Sequence, residues 1–431
     1  MLLVYTHKIT PRFSYIMKHI LTRILGIEIL FTTKVEDFIK HNGPKITYTK
    51  QPLQNEFFIR SNDLLFEKGI NDLQINVGNW DGVPCFFTAG ERSNIPYDIF
   101  SACFYLLSRY EEYLPHVKDI HGRFPPTESM AFKHGFLKLP VVDLLAFKFL
   151  EVLKLRFPNL EHGKREYRYT SIIDVTTSHC YAHRGFLRGG AGFFMDLFTF
   201  KPKRLVERVK SWIDPTSDPY DNFSQLIELH KKYGVESMFF FQFADYSTFD
   251  KNVSPHSNRF RFLIKSIADY SAVALAASYS SFGDIELLKK EKKQLSNVVH
   301  RPIDISRMRY NRVDVPQTYR NLVEAEFTDD YTMGYTHEIG FRASTCTPFY
   351  FYDINLEIQQ PIKLHPFAVH DYAFPNNKGK EEIMGQIEGL YREVKGVNGE
   401  LVTIFSNELL GSSNPVNWME LYEAVLSAYH V

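Results

Sequence analysis

The sequence predicts an α/β protein, a distorted (β/α) barrel of about seven strand–helix units preceded by a smaller mixed α/β domain. Three observations lead there. From residue 167 on, short apolar runs alternate with longer helical stretches, as in parallel strands buried on both faces. The segment 158–166 (Pro-Asn-Leu-Glu-His-Gly-Lys-Arg-Glu) is polar and unperiodic, which separates a 1–160 domain from a 167–431 domain. A length of 431 residues also exceeds what one ordinary core accommodates.

In the first block, apolar spacing predicts a helix over 12–25, and β-branched runs predict strands over 27–32, 46–49 and 57–59. The strongest helix is 98–113: Ile99, Cys103, Leu106, Leu107 and Tyr110 form one stripe behind an Asp98 cap, and Arg109, Glu111 and Glu112 read as a solvated face. A second helix is expected over 142–155. In the second block, strands are expected at 169–174, 238–243, 272–276, 303–306, 362–366 and 401–406. Helices are expected over 222–233, 259–270, 284–298, 317–325 and 380–395, with Gly234 closing the first of them. Gly189-Gly-Ala-Gly192 reads as a flexible loop.

Composition narrows the function class. Fifty basic residues balance fifty acidic ones, so neither nucleic acid nor an anionic membrane is drawn in by bulk charge, although local patches remain open. The four cysteines are widely spaced, which argues against a zinc knuckle or a disulfide framework and for a reducing, cytoplasmic setting. No uncharged run approaches a membrane span, and the N-terminal apolar positions are interrupted by His7, Arg12, His19 and Arg23, unlike a signal peptide. No phosphate-binding loop, dinucleotide fingerprint or nucleophile elbow is present.

The chemistry-bearing segments are Ser171-Ile-Ile-Asp174-Val-Thr176, Leu275-Ala-Ala-Ser-Tyr279, Ser306-Arg-Met-Arg309, Gly340-Phe-Arg-Ala-Ser-Thr345, Lys363-Leu-His-Pro366 and Ser406-Asn-Glu408. With Phe104-Tyr-Leu-Leu-Ser-Arg-Tyr-Glu-Glu-Tyr113, Leu139-Pro-Val-Val-Asp143 and Asp330-Tyr-Thr-Met-Gly-Tyr335, they resemble the polysaccharide deacetylases of the NodB homology family. The likeness is to a two-domain branch found in Bacteroidetes-type bacteria, with a distinct N-terminal domain. The resemblance implies a NodB-like barrel and metal-dependent hydrolysis of N-acetyl groups on sugars: metal-bound water attacks, an Asp takes its proton, and a His protonates the amine. It implies Asp174 as the base, Arg342 as the arginine that pairs with that base, and His365 as the acid. Tyr279, Phe349 and Tyr350 are candidates for stacking on sugar faces, and alternating core packing is the competing account of the Phe349–Tyr352 run.

The departures fall where the family's metal is held. Thr176 stands in place of the second Asp, Ala276 and Arg309 in place of two histidines, and Ser406 in place of a third. A hydroxyl is a poor ligand for a divalent ion and an arginine repels one. The expectation is a pseudoenzyme of the fold, with no metal cofactor, that binds a glycan, an N-acetylated sugar or a protein partner. The alternatives are an active deacetylase holding zinc, nickel or cobalt in a rearranged site, and a scaffold for the N-terminal domain. Candidate replacement ligands are His179 and His183, at i, i+4 spacing, and His365 with His370 and Asp371.

Overall fold

The computed structural model describes residues 1–183, 186–375, 378–411 and 416–430. The N-terminal block opens on four parallel strands, β1 (Leu2–Thr6), β2 (Ile29–Thr32), β3 (Lys45–Thr49) and β4 (Phe57–Arg60), in the order β2-β1-β3-β4. Val4 lies beside both Phe31 and Ile46, so the apolar residues of neighbouring strands stack in register. The first helix begins at Pro11, where the Thr10 side chain accepts the Phe13 N–H at 3.1 Å, and it winds into a π-helical turn over Lys18–Ile24. A short hairpin, β5 (Gly78–Trp80) with β6 (Val83–Cys85), follows.

The helix predicted over 98–113 is broken. Asp98 caps it as expected, accepting the Phe100 and Ser101 N–H groups, and Ile99–Leu107 is buried throughout. At Arg109 the backbone turns left-handed (φ 53°), and Tyr110–Tyr113 restarts as a separate turn. The expected solvated face is a correction: Arg109 and Glu112 are 2% and 6% exposed.

The second block is a curled, half-barrel sheet of nine strands: β7 (Arg168–Val175), β8 (Glu236–Gln242), β9 (Ala272–Ala277), β10 (Ile305–Met308), β11 (Asp329–Asp330), β12 (Phe349–Asp353), β13 (Ile358–Leu364), β14 (Val369–His370) and β15 (Glu400–Ser406). Their order is β12-β13-β11-β10-β9-β8-β7-β15-β14, so among the described residues the sheet runs from edge to edge without closing. All neighbours are parallel except the β12–β13 hairpin. Side chains alternate as the period of a strand requires. Ile172, Phe240, Ala274, Ala276, Val402 and Ile404 fill the concave interior, while Ile173, Val175, Phe239, Phe241 and Leu275 face the covering helices.

Two further findings bear on function. The glycine-rich segment 189–192 lies inside the helix Phe186–Phe198 rather than in a loop. Its glycines admit the neighbouring helix Pro202–Ile213: a Cβ on Gly192 would fall 2.7 Å from the Arg208 guanidinium, and one on Gly189 3.3 Å from the Trp212 ring. Tertiary packing here overrides glycine's low helix propensity. The segment 340–347 is bound into the N-terminal block. Phe341 donates to the Leu137 carbonyl at 2.8 Å, and a Cβ on Gly340 would fall 2.4 Å from that carbonyl. The buried Asp143 carboxylate accepts from Thr345 Oγ1 (2.6 Å), the Cys346 N–H (3.0 Å) and Arg165 (3.0 Å).

Candidate functional site at the carboxyl end of the sheet

In parallel α/β sheets, chemistry gathers where strands end and loops begin. β7 ends with Asp174 pointing into the concave interior, 5% exposed. Register carries β7 through β8 and β9 to β10, and this brings Arg307 of β10 to it: one guanidinium nitrogen donates to Asp174 Oδ2. The second Arg307 nitrogen donates to Asn311 Oδ1 at 2.8 Å. Asp174 Oδ1, Arg307 Nε and Arg309 Nε are buried and meet no partner.

Arg342 does not pair with Asp174. It makes a two-pronged bond to Glu112, Nε to Oε1 at 2.9 Å and Nη2 to Oε2 at 2.6 Å, and Arg109 donates to the same carboxylate at 2.8 Å. Burial alone would push the Glu112 carboxyl up, but the Arg342 and Arg109 charges overturn this and bring it down to about 2. The predicted partner of the base is thus part of the joint between the blocks.

His365 is also elsewhere. Its Nε2 lies 2.7 Å from Asp329 Oδ1, and its ring stacks 4.3 Å from Tyr331. Tyr331 feels the charges of Glu236 and Glu400, the first residues of β8 and β15, so this group occupies the amino end of the sheet, opposite Asp174. The histidine that does lie near Asp174 and Arg307 is His370, at the end of β14. It is buried, with Nδ1 2.8 Å from Asp371 Oδ1. Burial lowers its pKa despite the Asp371 charge, which favours the neutral ring.

Thr176, Ala276, Arg309 and Ser406, the four positions where ligands were expected, each have definite surroundings. Thr176 Oγ1 donates to Glu408 Oε1 at 2.5 Å. Ser406 donates through both its N–H and its hydroxyl to Asp371 Oδ2 at 2.6 Å. Ala276 adds a methyl group to the apolar interior, and Arg309 lies over the Tyr310 ring, 4.7 Å from its centroid. These residues do not fit a divalent cation: Asp174 is bonded to an arginine, the Glu408 and Asp371 carboxylates are bonded to Thr176 and Ser406, and a second arginine stands nearby. Among the described residues no group of three His, Cys, Asp or Glu side chains is placed to hold a metal. His179 and His183 have rings 4.9 Å apart, but they lie in a turn rather than on a helix, and Arg259 sits 3.4 Å from His183.

Tyr279 lies at this same end, within an aromatic cluster invisible in any single segment. Its ring stacks on Phe249 at 4.1 Å, meets Tyr310 edge-on at 5.5 Å and lies 5.8 Å from His121. The Arg312 guanidinium covers Tyr279 at 4.1 Å and donates to the His121 and Tyr279 carbonyls. His121 and Arg123 belong to the N-terminal block, and Arg123 donates to the Tyr310 carbonyl at 2.7 Å. Tyr310 and Asn311 both hold positive φ (59° and 53°), a conformation costly for residues with side chains and often retained at binding sites.

Phe349 and Tyr350 are not at this end. Phe349 is fully buried with its ring edge-on to His19, and Tyr350 lies under Arg23, its carbonyl accepting from Tyr15. The aromatic run of β12 is packing against the first helix, the competing account given above. Sequence reasoning passed over Arg307, Phe249, Tyr310 and His121. Only Arg307 had a signal, as the residue after Ser306 in a quoted motif.

Residues 2–158 match the model of a family of unknown function, DUF7033. No curated protein matches the chain. Solved structures similar to it include two provisionally named polysaccharide deacetylases. One, from Mycobacterium smegmatis, is 12% identical with a TM-score of 0.40, covering 62% of this chain and 86% of its own. The other, from Pseudomonas aeruginosa PAO1, is 12% identical with a TM-score of 0.39, covering 61% and 84%. A PuuE allantoinase is 12% identical with a TM-score of 0.38, covering 74% and 93%.

Proposed function

We propose that this protein binds a glycan or N-acetylated sugar at the carboxyl end of its half-barrel and does not hydrolyse it. The carrying observation is the Arg307–Asp174 pair. A base poised to take a proton from metal-bound water needs a free carboxylate oxygen beside a cation site. Here the cation is an arginine, fixed in place by Asn311, and the surrounding positions hold Thr176, Ala276 and Arg309. What remains suits sugar recognition: the stacked rings of Tyr279, Phe249 and Tyr310, with Phe249 partly exposed.

The rival reading is an active deacetylase with a rearranged site, for which the adjacent His179 and His183 rings are the supporting observation. Elemental mass spectrometry of purified protein, with calorimetric titration of N-acetylglucosamine oligomers, separates the two. The binding reading expects no stoichiometric metal, no acetate release, and oligomer binding that Phe249→Ala weakens. Zinc, nickel or cobalt at one per chain, lost in His179→Ala and accompanied by acetate release, overturns it.

A further inference from the structure

The helices Phe186–Phe198 and Pro202–Ile213 form a hairpin between β7 and β8 whose apolar surface is turned outward. On the second helix Val206, Val209 and Ile213, spaced i, i+3 and i+7, form one stripe, yet they are exposed, Ile213 by 81%. The buried positions of that helix are polar instead: Arg208 and Ser211, with Arg208 bonded to Asp196 of the partner helix at 2.6 Å. At the tip, Phe198 and Phe200 are 79% and 91% exposed. Isolated exposed apolar residues are ordinary, whereas a contiguous aromatic and aliphatic face marks a binding surface.

Charge identifies the occupant. The whole chain is neutral, but residues 186–213 hold six basic and two acidic residues, a net charge of +4. Of the two acids, Asp196 is buried against Arg208, and half-buried Glu207 accepts from the Tyr181 hydroxyl, so neither offsets the outward cations Lys201, Arg204 and Lys210. Behind the hairpin lies a largely apolar cavity of about 580 Å³, lined by Tyr181, Phe193 and Trp212, with His183 and Arg259 among its walls. An outward apolar stripe flanked by lysine and arginine is the arrangement that lies in a lipid headgroup layer, with cations on phosphates and apolar side chains among acyl chains. No helix among the described residues is long and apolar enough to cross a membrane, so such contact would be peripheral.

We propose that this hairpin docks the protein on an anionic lipid bilayer, with the cavity behind it open to an acyl segment. The test is flotation of the full chain with vesicles of equal parts phosphatidylcholine and phosphatidylglycerol, beside pure phosphatidylcholine. The protein is expected to float with the anionic vesicles, and Lys201→Glu with Arg204→Glu and Lys210→Glu should weaken this by more than about tenfold. Phe198→Ser with Phe200→Ser should abolish it; all five positions are exposed, so folding is spared. A charge-matched control, Lys138→Glu with Lys164→Glu and Lys380→Glu, should float like the parent. No flotation of the parent, or equal loss in the control, overturns the proposal. So does a concentration-dependent dimer in sedimentation velocity, dissolved by the two Phe substitutions, in a protein that ignores vesicles.

Discussion

Two of the buried arginine–carboxylate centres among the described residues differ in how completely they are satisfied. At the joint between the blocks both oxygens of Glu112 are bonded, by Arg342 and Arg109. At the strand end Asp174 uses one oxygen, and the other, like Arg307 Nε, meets nothing. A saturated pair is a structural rivet, whereas a half-saturated one at a sheet mouth keeps polar capacity for something that arrives later. The family resemblance placed the functional arginine at 342. The hydrogen bonds place it in the joint and bring Arg307 to the carboxylate instead.

The largest expected effect tests that contrast. Glu112→Gln takes the carboxylate from the buried Arg342, while Arg109 keeps its pair with Glu111 at 2.7 Å, and should destabilise the fold by about 3–5 kcal/mol in chemical denaturation. Asp174→Asn affects a single arginine, which keeps its bond to Asn311 and can still donate to the amide oxygen, and should cost about 1–2 kcal/mol. Equal costs would erase the distinction between joint and mouth. Acid sharpens it further. Glu112 is depressed to about 2 in the fold against an ordinary value of 4.5. Its contribution is therefore fully present above pH 4.5 and is lost as pH falls toward 2, and Glu112→Gln should lack that acid-limb loss.

Another buried carboxyl, Glu291, has no arginine partner. Glu291 Oε2 accepts the Ser278 N–H at 3.0 Å and Oε1 meets nothing, so burial raises it to about 7 from 4.5. The sign reverses: the protonated form is at ease below pH 4.5, and stability falls as pH rises through 7. Glu291→Gln should accordingly leave stability unchanged at pH 4 and raise it by up to about 3 kcal/mol at pH 8. A thermal or urea series at the two pH values reads this directly.

What was legible in the sequence was set by local pattern. The parallel strands announced themselves because burial on both faces makes them continuous apolar runs, and Asp98 and Gly234 marked helix ends by their own chemistry. What was not legible depends on partners far along the chain. The break at Arg109 serves Glu112 and Arg342, 230 residues beyond Glu112. The helix through Gly189 and Gly192 is stabilised by Trp212 and Arg208 pressing against it. Asp174 was found by its place at a strand end, but its partner came from the register of three intervening strand pairings. Alternation in the Phe349–Tyr352 run fits a sugar platform as well as a core strand, and only the contact with Tyr15 and His19 decides.

The smallest effect separates binding from stability at one residue. Tyr310 holds φ 59° and presents its ring to Tyr279, His121 and Phe249. Tyr310→Gly removes a conformational strain of about 1–2 kcal/mol but loses half-buried ring packing and frees the unfolded chain by up to about 1 kcal/mol. These terms oppose one another, so the variant should unfold within about 1 kcal/mol of the parent. Binding of an N-acetylglucosamine oligomer should still weaken by about 1–2 kcal/mol, because a stacking face is gone. A joint residue treated the same way would lose stability first. If Tyr310→Gly instead unfolds early while binding is kept, the strained turn is scaffolding, and the mouth must be sought at the unpartnered atoms of Asp174 and Arg307.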